Sequence, residues 1–145
     1  MKILRETIRR ILLESDEPCD VFMKEMYKRF EKRPGKQGHA ERLAKVYPDG
    51  CEVHFLLEPI GGRNLYFHEI ETVGEDCVRK GYARDTMESI FALADMMGIG
   101  FLGEIDPFHQ DLDRPDAEEL MKFYRSVGFE GELGDDIYRM PQRRY

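Results

Sequence analysis

The sequence predicts an α+β domain built on a mixed sheet. Two stretches carry that expectation: an alternating hairpin over residues 51–73, and a strand–turn–helix–strand run over 73–105. A third pointer is element order. A hairpin, a helix, a parallel strand, another helix and terminal strands form a layered α+β arrangement. At 145 residues with 41% apolar content, the chain suffices for one domain with one sizeable core.

Taken in order, residues 1–15 place Ile3, Leu4, Thr7, Ile8, Ile11 and Leu12 on one helical stripe, with Arg5, Arg9 and Arg10 outside it. This N-terminal amphipathic helix is set apart from a single domain over residues 16–145. Ser15-Asp16-Glu17-Pro18 breaks the helix or caps the next. A second helix, Asp20 to Arg33, buries Phe22, Met23, Met26, Tyr27 and Phe30. The loop Arg33-Pro34-Gly35-Lys36-Gln37-Gly38 follows, then a short helix, His39 to Tyr47, and the turn Pro48-Asp49-Gly50. No strand is expected in the first fifty residues.

Cys51 to Ile60 reads as a strand, Gly61-Gly62 as a turn, and Asn64 to Val73 as the hairpin partner. Strict alternation puts Leu65, Phe67, Glu69, Glu71 and Val73 on one face, and Tyr66, His68, Ile70 and Thr72 on the other. A helix from Gly81 to Met97 buries Met87, Ile90, Phe91 and Ala94 and ends at Gly98. Ile99 to Ile105 is a further strand, and Asp106 to Arg114 an acidic loop. Pro115 opens a helix that Gly128 ends after Val127, and Asp136 to Met140 is the clearest strand of the tail.

Composition narrows function. The net charge of −7 argues against nonspecific nucleic-acid binding, and no apolar run is long enough to span a bilayer. The N-terminus lacks the apolar core and cleavage site of a secretory signal. Charge is uneven: residues 21–47 carry eight Lys/Arg against three acids, whereas residues 48–78 carry one Arg against seven. The basic run reads as solvated helix faces. Cys19, Cys51 and Cys77 are odd in number and irregular in spacing, which argues against a disulfide framework or zinc site and for a reducing, cytoplasmic setting. His54 and His68 lie on paired strands without a third metal ligand at useful spacing.

Two motifs carry chemistry. Val78-Arg79-Lys80-Gly81-Tyr82-Ala83-Arg84 joins a strand to a helix through small residues flanked by cations, a cradle for an anion at a helix N-terminus. Further along stands Phe123-Tyr124-Arg125-Ser126-Val127-Gly128-Phe129. Together they resemble the GNAT-type N-acetyltransferases, whose pyrophosphate loop reads Gln/Arg-x-x-Gly-x-Gly/Ala and whose later helix often ends in Phe-Tyr-x-x-x-Gly-Phe. The resemblance covers residues 50–140. It implies a mostly antiparallel central sheet flanked by helices, and acetyl transfer from acetyl-CoA to an amine by direct attack in a ternary complex, without a metal.

The resemblance also assigns residues. Arg79, Lys80, Gly81, Tyr82, Ala83 and Arg84 hold the pyrophosphate, and backbone groups of Glu71, Thr72 and Val73 align the pantetheine where the fourth and fifth strands splay. Tyr124 stands where the family often has a tyrosine general acid. Glu69 is the first choice as base, with Glu104 and Asp106 next. Val78 replaces the usual Gln or Arg, and Ala117 the usual Asn; these departures leave open a non-catalytic interaction module that docks a partner through its N-terminal helices. The acidic strand suggests a cationic acceptor, either a small amine or a protein amino group. Leu12-Leu13-Glu14-Ser15 is similar to the capsid-targeting peptides of tailed-bacteriophage internal proteins, although a helix docking on the domain or on a second subunit is the preferred reading.

Overall fold

The computed structural model describes residues 18–35, 40–104, 117–132 and 134–142. Among these, three helices and six strands follow in the order α1 (Pro18–Arg29), β1 (Glu31–Arg33), β2 (Arg42–Val46), β3 (Glu52–Gly61), β4 (Asn64–Val73), α2 (Tyr82–Met97), β5 (Gly100–Glu104), α3 (Ala117–Ser126) and β6 (Asp136–Arg139). The strands form one sheet in sequence order. Every neighbouring pair is antiparallel except β4 and β5, which the α2 crossover makes parallel. The fold is therefore α+β with a mixed, mostly antiparallel sheet. The expected helix over residues 1–15 and the acidic loop 106–114 lie outside the described residues. No described helix is long and apolar enough to cross a membrane.

The first fifty residues differ from expectation. The second helix stops at Arg29, and Glu31–Arg33 is a strand. Phe30 then turns its ring edge-on to Phe55, with centroids 4.9 Å apart, while Tyr27 remains 48% exposed. The expected helix from His39 to Tyr47 is instead the strand β2, paired on both sides. Ladder bonds to two neighbours outweigh the local helix propensity of this segment, and the strand carries Leu43 onto Phe55.

One apolar cluster joins the helices to a single face of the sheet. Phe22 and Met26 of α1, Ile90, Phe91 and Ala94 of α2, and Met121 and Tyr124 of α3 meet Leu43, Phe55, Leu65, Phe67, Phe101 and Ile137. Each fully buried side chain of this size contributes about 1.5–3 kcal/mol relative to exposure. Helix α2 forms as its periodicity predicts and ends at Gly98, whose left-handed conformation (φ 70°) closes the terminus.

The cluster encloses one charged pair. Arg139 is 1% exposed and holds Asp95 of α2 through two hydrogen bonds, at 2.7 and 3.1 Å. Its Nε donates to the Val127 carbonyl at 2.8 Å, and its guanidinium lies 4.3 Å from the Phe91 ring centre. Gly128 is a glycine for this reason: a Cβ there would stand 2.3 Å from Gln142 and 3.0 Å from Arg139.

Strand β4 departs from strict alternation. Leu56 pairs with Glu69 but Leu57 with Phe67, so His68 is an extra residue, a β-bulge. The bulge inverts facing. Leu65 and Phe67 share the core face with Ile70 and Thr72, not with Glu69, Glu71 and Val73 as alternation implies. His54 and His68 each bond a β3 glutamate, Glu52 at 2.9 Å and Glu58 at 2.6 Å.

The cysteines also require correction, because Cys51 and Cys77 form a disulfide, while the buried Cys19 thiol donates to the Asn64 carbonyl. Spacing cannot reveal this pairing, but the hairpin produces it. Glu52 pairs with Val73, so the residues just outside the strands emerge side by side. Gly74 (φ 124°) then folds the chain back, and a Cβ at that position would stand 2.6 Å from the Cys77 sulfur.

Removing one partner of a buried ion pair leaves the other unsatisfied, at a cost of about 3–5 kcal/mol. Arg139→Met and Asp95→Asn are each expected to lower unfolding stability by about that amount in urea titrations. The double change Asp95→Leu/Arg139→Met is expected to cost less than the sum, because no charge is then left unpaired.

Candidate functional site

Among the described residues the parallel pairing between β4 and β5 is short: Asn64 to Phe67 pair with Gly100 to Gly103. From Glu69 to Val73, β4 pairs with β3 and with no other described strand. The bulge falls where the two strands part, as bulges that bend a strand do. Alternate residues along this stretch therefore turn N–H and C=O groups toward the β5 side, where no described strand pairs with them. Glu71, Thr72 and Val73 lie on this stretch.

At one end of the gap stands the N-terminus of α2. Gly81 caps it in a left-handed conformation (φ 79°), and no side chain caps it. The first helical bond runs from the Asp85 amide to the Gly81 carbonyl at 3.0 Å. The amides of Tyr82, Ala83 and Arg84 consequently point out of the helix end, toward the loop. The loop before it is held from the β2–β3 turn. Asp49 accepts from the Tyr82 hydroxyl at 2.6 Å, from Lys80 at 3.1 Å and from the Cys51 amide at 3.0 Å. These bonds, the Tyr82 hydroxyl first, hold the Asp49 carboxyl down to about 2. Tyr82 also stacks on Tyr47, with centroids 3.9 Å apart. Lys80 is thus spoken for by Asp49, while Arg79 and Arg84 stay exposed at the helix mouth.

The two sequence motifs meet in space. The Arg84 guanidinium lies 5.2 Å over the Phe123 ring. Beside Phe123, Tyr124 is 9% exposed and packs edge-on to Phe67 at 6.3 Å and to Phe129 at 5.3 Å. Phe67 is the last β4 residue paired to β5, so Tyr124 sits at the apex of the gap. Its hydroxyl bonds to no described residue. Burial, then the charge of Glu69, pushes the Tyr124 phenol up to about 12.

The carboxylates are arranged differently from expectation. Arg42, 5% exposed on β2, reaches across β3 and pairs with both Glu69 and Glu71, the latter at 3.1 Å. Neither is a bare acid on an exposed sheet face. Glu69 accepts from the Arg42 guanidinium through Oε1, and its Oε2 has no partner among the described residues. Glu104 ends β5 opposite Asp136, and these two charges, after burial, raise the Tyr66 phenol. The charge of Glu69 reaches the Tyr124 phenol, although its side chain lies on the face opposite the aromatic cluster, and that of Glu104 reaches Tyr66. Arg42 had no signal as a site residue, because the segment read as a solvated helix. Among the described residues no group of three His, Cys, Asp or Glu is placed to hold a metal ion.

No family model matches the chain, and no curated protein matches it.

Burial similarly pushes the Tyr47 phenol up to about 12. An unfolded tyrosine releases its proton near about pH 10. Between those values the native state binds more protons than the unfolded one, so stability falls as pH rises. Urea midpoints are expected to hold steady to about pH 9.5 and then drop, with a shallower drop in Tyr124→Phe.

Proposed function

We propose that this protein is an N-acetyltransferase of the GNAT type that moves an acetyl group from acetyl-CoA to an amine. The observation that supports it best is a line of features along one gap. A helix N-terminus without a side-chain cap stands at one end with Arg79 and Arg84, the β4 backbone beyond Phe67 runs alongside, and a protonated Tyr124 lies at the apex. Acetyl-CoA would bring the acyl group as a thioester, and each part of the gap suits one part of that molecule.

The amides of Tyr82 to Arg84 would take the pyrophosphate oxygens, with the helix dipole and two arginines adding positive charge. Backbone N–H and C=O groups of β4 beyond Phe67 would pair with the amide-bearing pantetheine as a further strand would. Tyr124, neutral well above physiological pH, would hydrogen-bond the sulfur and donate its proton as the thiolate departs. Glu69, through Oε2 or a bridging water, would accept the proton of the attacking amine or hold a cationic acceptor in place. Arg42 fixes the Glu69 side chain and offsets part of the negative charge that a cationic acceptor would meet.

A second reading is a non-catalytic module on the same scaffold. The engagement of Lys80 by Asp49 and the 54% exposure of Val78 in place of a polar loop residue favour it.

Thermal unfolding with acetyl-CoA, and with ATP as anion control, separates the two. At about 100 times Kd a native-state ligand adds about 2.7 kcal/mol. For a chain of this size that is a rise in Tm of about 5–10 °C. The enzyme reading expects this rise with acetyl-CoA alone, and no rise at millimolar concentrations leaves the module. Arg79→Glu/Arg84→Glu is expected to weaken acetyl-CoA binding at least about tenfold, more at low salt. Tyr124→Phe is expected to keep binding and lower kcat about 10²-fold or more.

A further inference from the structure

From Val73 to Gly81 every residue is exposed except Cys77, which is 4% exposed and bonded to Cys51. The segment leading to the helix mouth is therefore held to the body of the protein at Cys77, by the disulfide, and at Lys80, by Asp49. Its backbone is not one that a free chain favours: Asp76 (φ 58°) and Arg79 (φ 68°) are left-handed without being glycine. Cys51 serves a second contact as well. Its amide donates to Asp49, the carboxylate that receives Lys80 and Tyr82. The disulfide and the Asp49 clamp thus share an anchor, and both hold the residues whose amides face the gap.

We propose that Cys51 and Cys77 form a reversible thiol–disulfide switch that orders the anion-binding loop 78–84 and so sets its affinity for acetyl-CoA. The affinity half rests on the acetyltransferase reading; the ordering half does not. The reductant is a dithiol. One of its thiolates attacks a sulfur of the pair, the Cys51–Cys77 bond breaks, and a mixed disulfide forms. The second thiolate of the reductant then displaces the protein sulfur. The reductant leaves as a disulfide, and the two cysteines have taken up two electrons and two protons. Because the loop around Cys77 is exposed, a local opening of that loop suffices to present the bond. Once reduced, the left-handed residues relax, and the amides at the helix mouth lose their common direction.

The test uses the full chain, oxidised with diamide or reduced with dithiothreitol, and the variant Cys51→Ser/Cys77→Ser. Hydrogen exchange over seconds is read on peptides covering 78–84 and on the β3 and β4 peptides, alongside calorimetric titration with acetyl-CoA. The reduced protein is expected to stay folded by far-UV circular dichroism, with β3 and β4 still protected. Exchange in 78–84 is expected to accelerate at least about tenfold. Acetyl-CoA binding is expected to weaken about tenfold in parallel, a coupling of ordinary size. The double variant is expected to match the reduced form with or without dithiothreitol.

Equal loop exchange in both forms overturns the proposal. So does global unfolding on reduction, which makes the bond a staple, or thiols at both Cys51 and Cys77 after diamide. Equal acetyl-CoA affinity in two forms that both bind it overturns the switch. Faster loop exchange with no binding in either form upholds the tether and overturns the acetyltransferase reading instead.

Discussion

The buried pair of Arg139 and Asp95 is the constraint around which the molecule is arranged. Asp95 lies in the last turn of α2, where the helix dipole disfavours a negative charge, and its side chain is wholly buried. Only a cation bound in a matched fork makes that placement tolerable. Arg139 supplies the fork from β6 and uses its remaining Nε donor on the carbonyl that follows α3. One side chain therefore sets the position of the C-terminal end of α2, the exit of α3 and the last strand. The opposite end of α2 is the mouth of the proposed site, so a rigid helix carries this constraint to the loop that would bind the anion.

The gap itself comes from a different feature. Parallel pairing of β4 and β5 would leave no free backbone if it continued past Phe67. The extra residue at His68 bends β4 and reverses which side chains face the core. Glu69 is thereby moved off the apolar face and becomes available to Arg42, while its charge still reaches Tyr124. A strand in strict alternation would have buried Glu69 and Glu71 in the aromatic cluster, at the cost that unpaired buried carboxylates carry. The bulge is what makes an acidic strand compatible with this core.

Much of the fold could be read from residues alone, and the failures have identifiable causes. The hairpin partner, helix α2 and its stop at Gly98 follow from local periodicity, and the structure matches them almost residue for residue. The segment Arg42–Val46 does not, because its identity is decided by two neighbouring strands rather than by its own propensity. That error concealed Arg42, which reads as a solvated cation on a helix yet is nearly buried over two glutamates. The inverted facing of β4 was invisible because a single inserted residue leaves no compositional trace. The disulfide followed the same logic: the separation of 26 residues says nothing until the register of β3 on β4 is known.

Helix N-termini are common, and most bind nothing. What distinguishes this one is how many restraints converge on the few residues before it. The Asp49 carboxylate, the Tyr47 ring and the Cys51 sulfur all come from the short turn between β2 and β3, and all act on residues 77–82. A loop serving only as a connection needs none of them, since its ends are already fixed by β4 and α2. Restraint of this density costs conformational entropy, which is recovered when a ligand meets amides already pointing the same way. The order of the loop is therefore better explained by what it would receive than by what it connects.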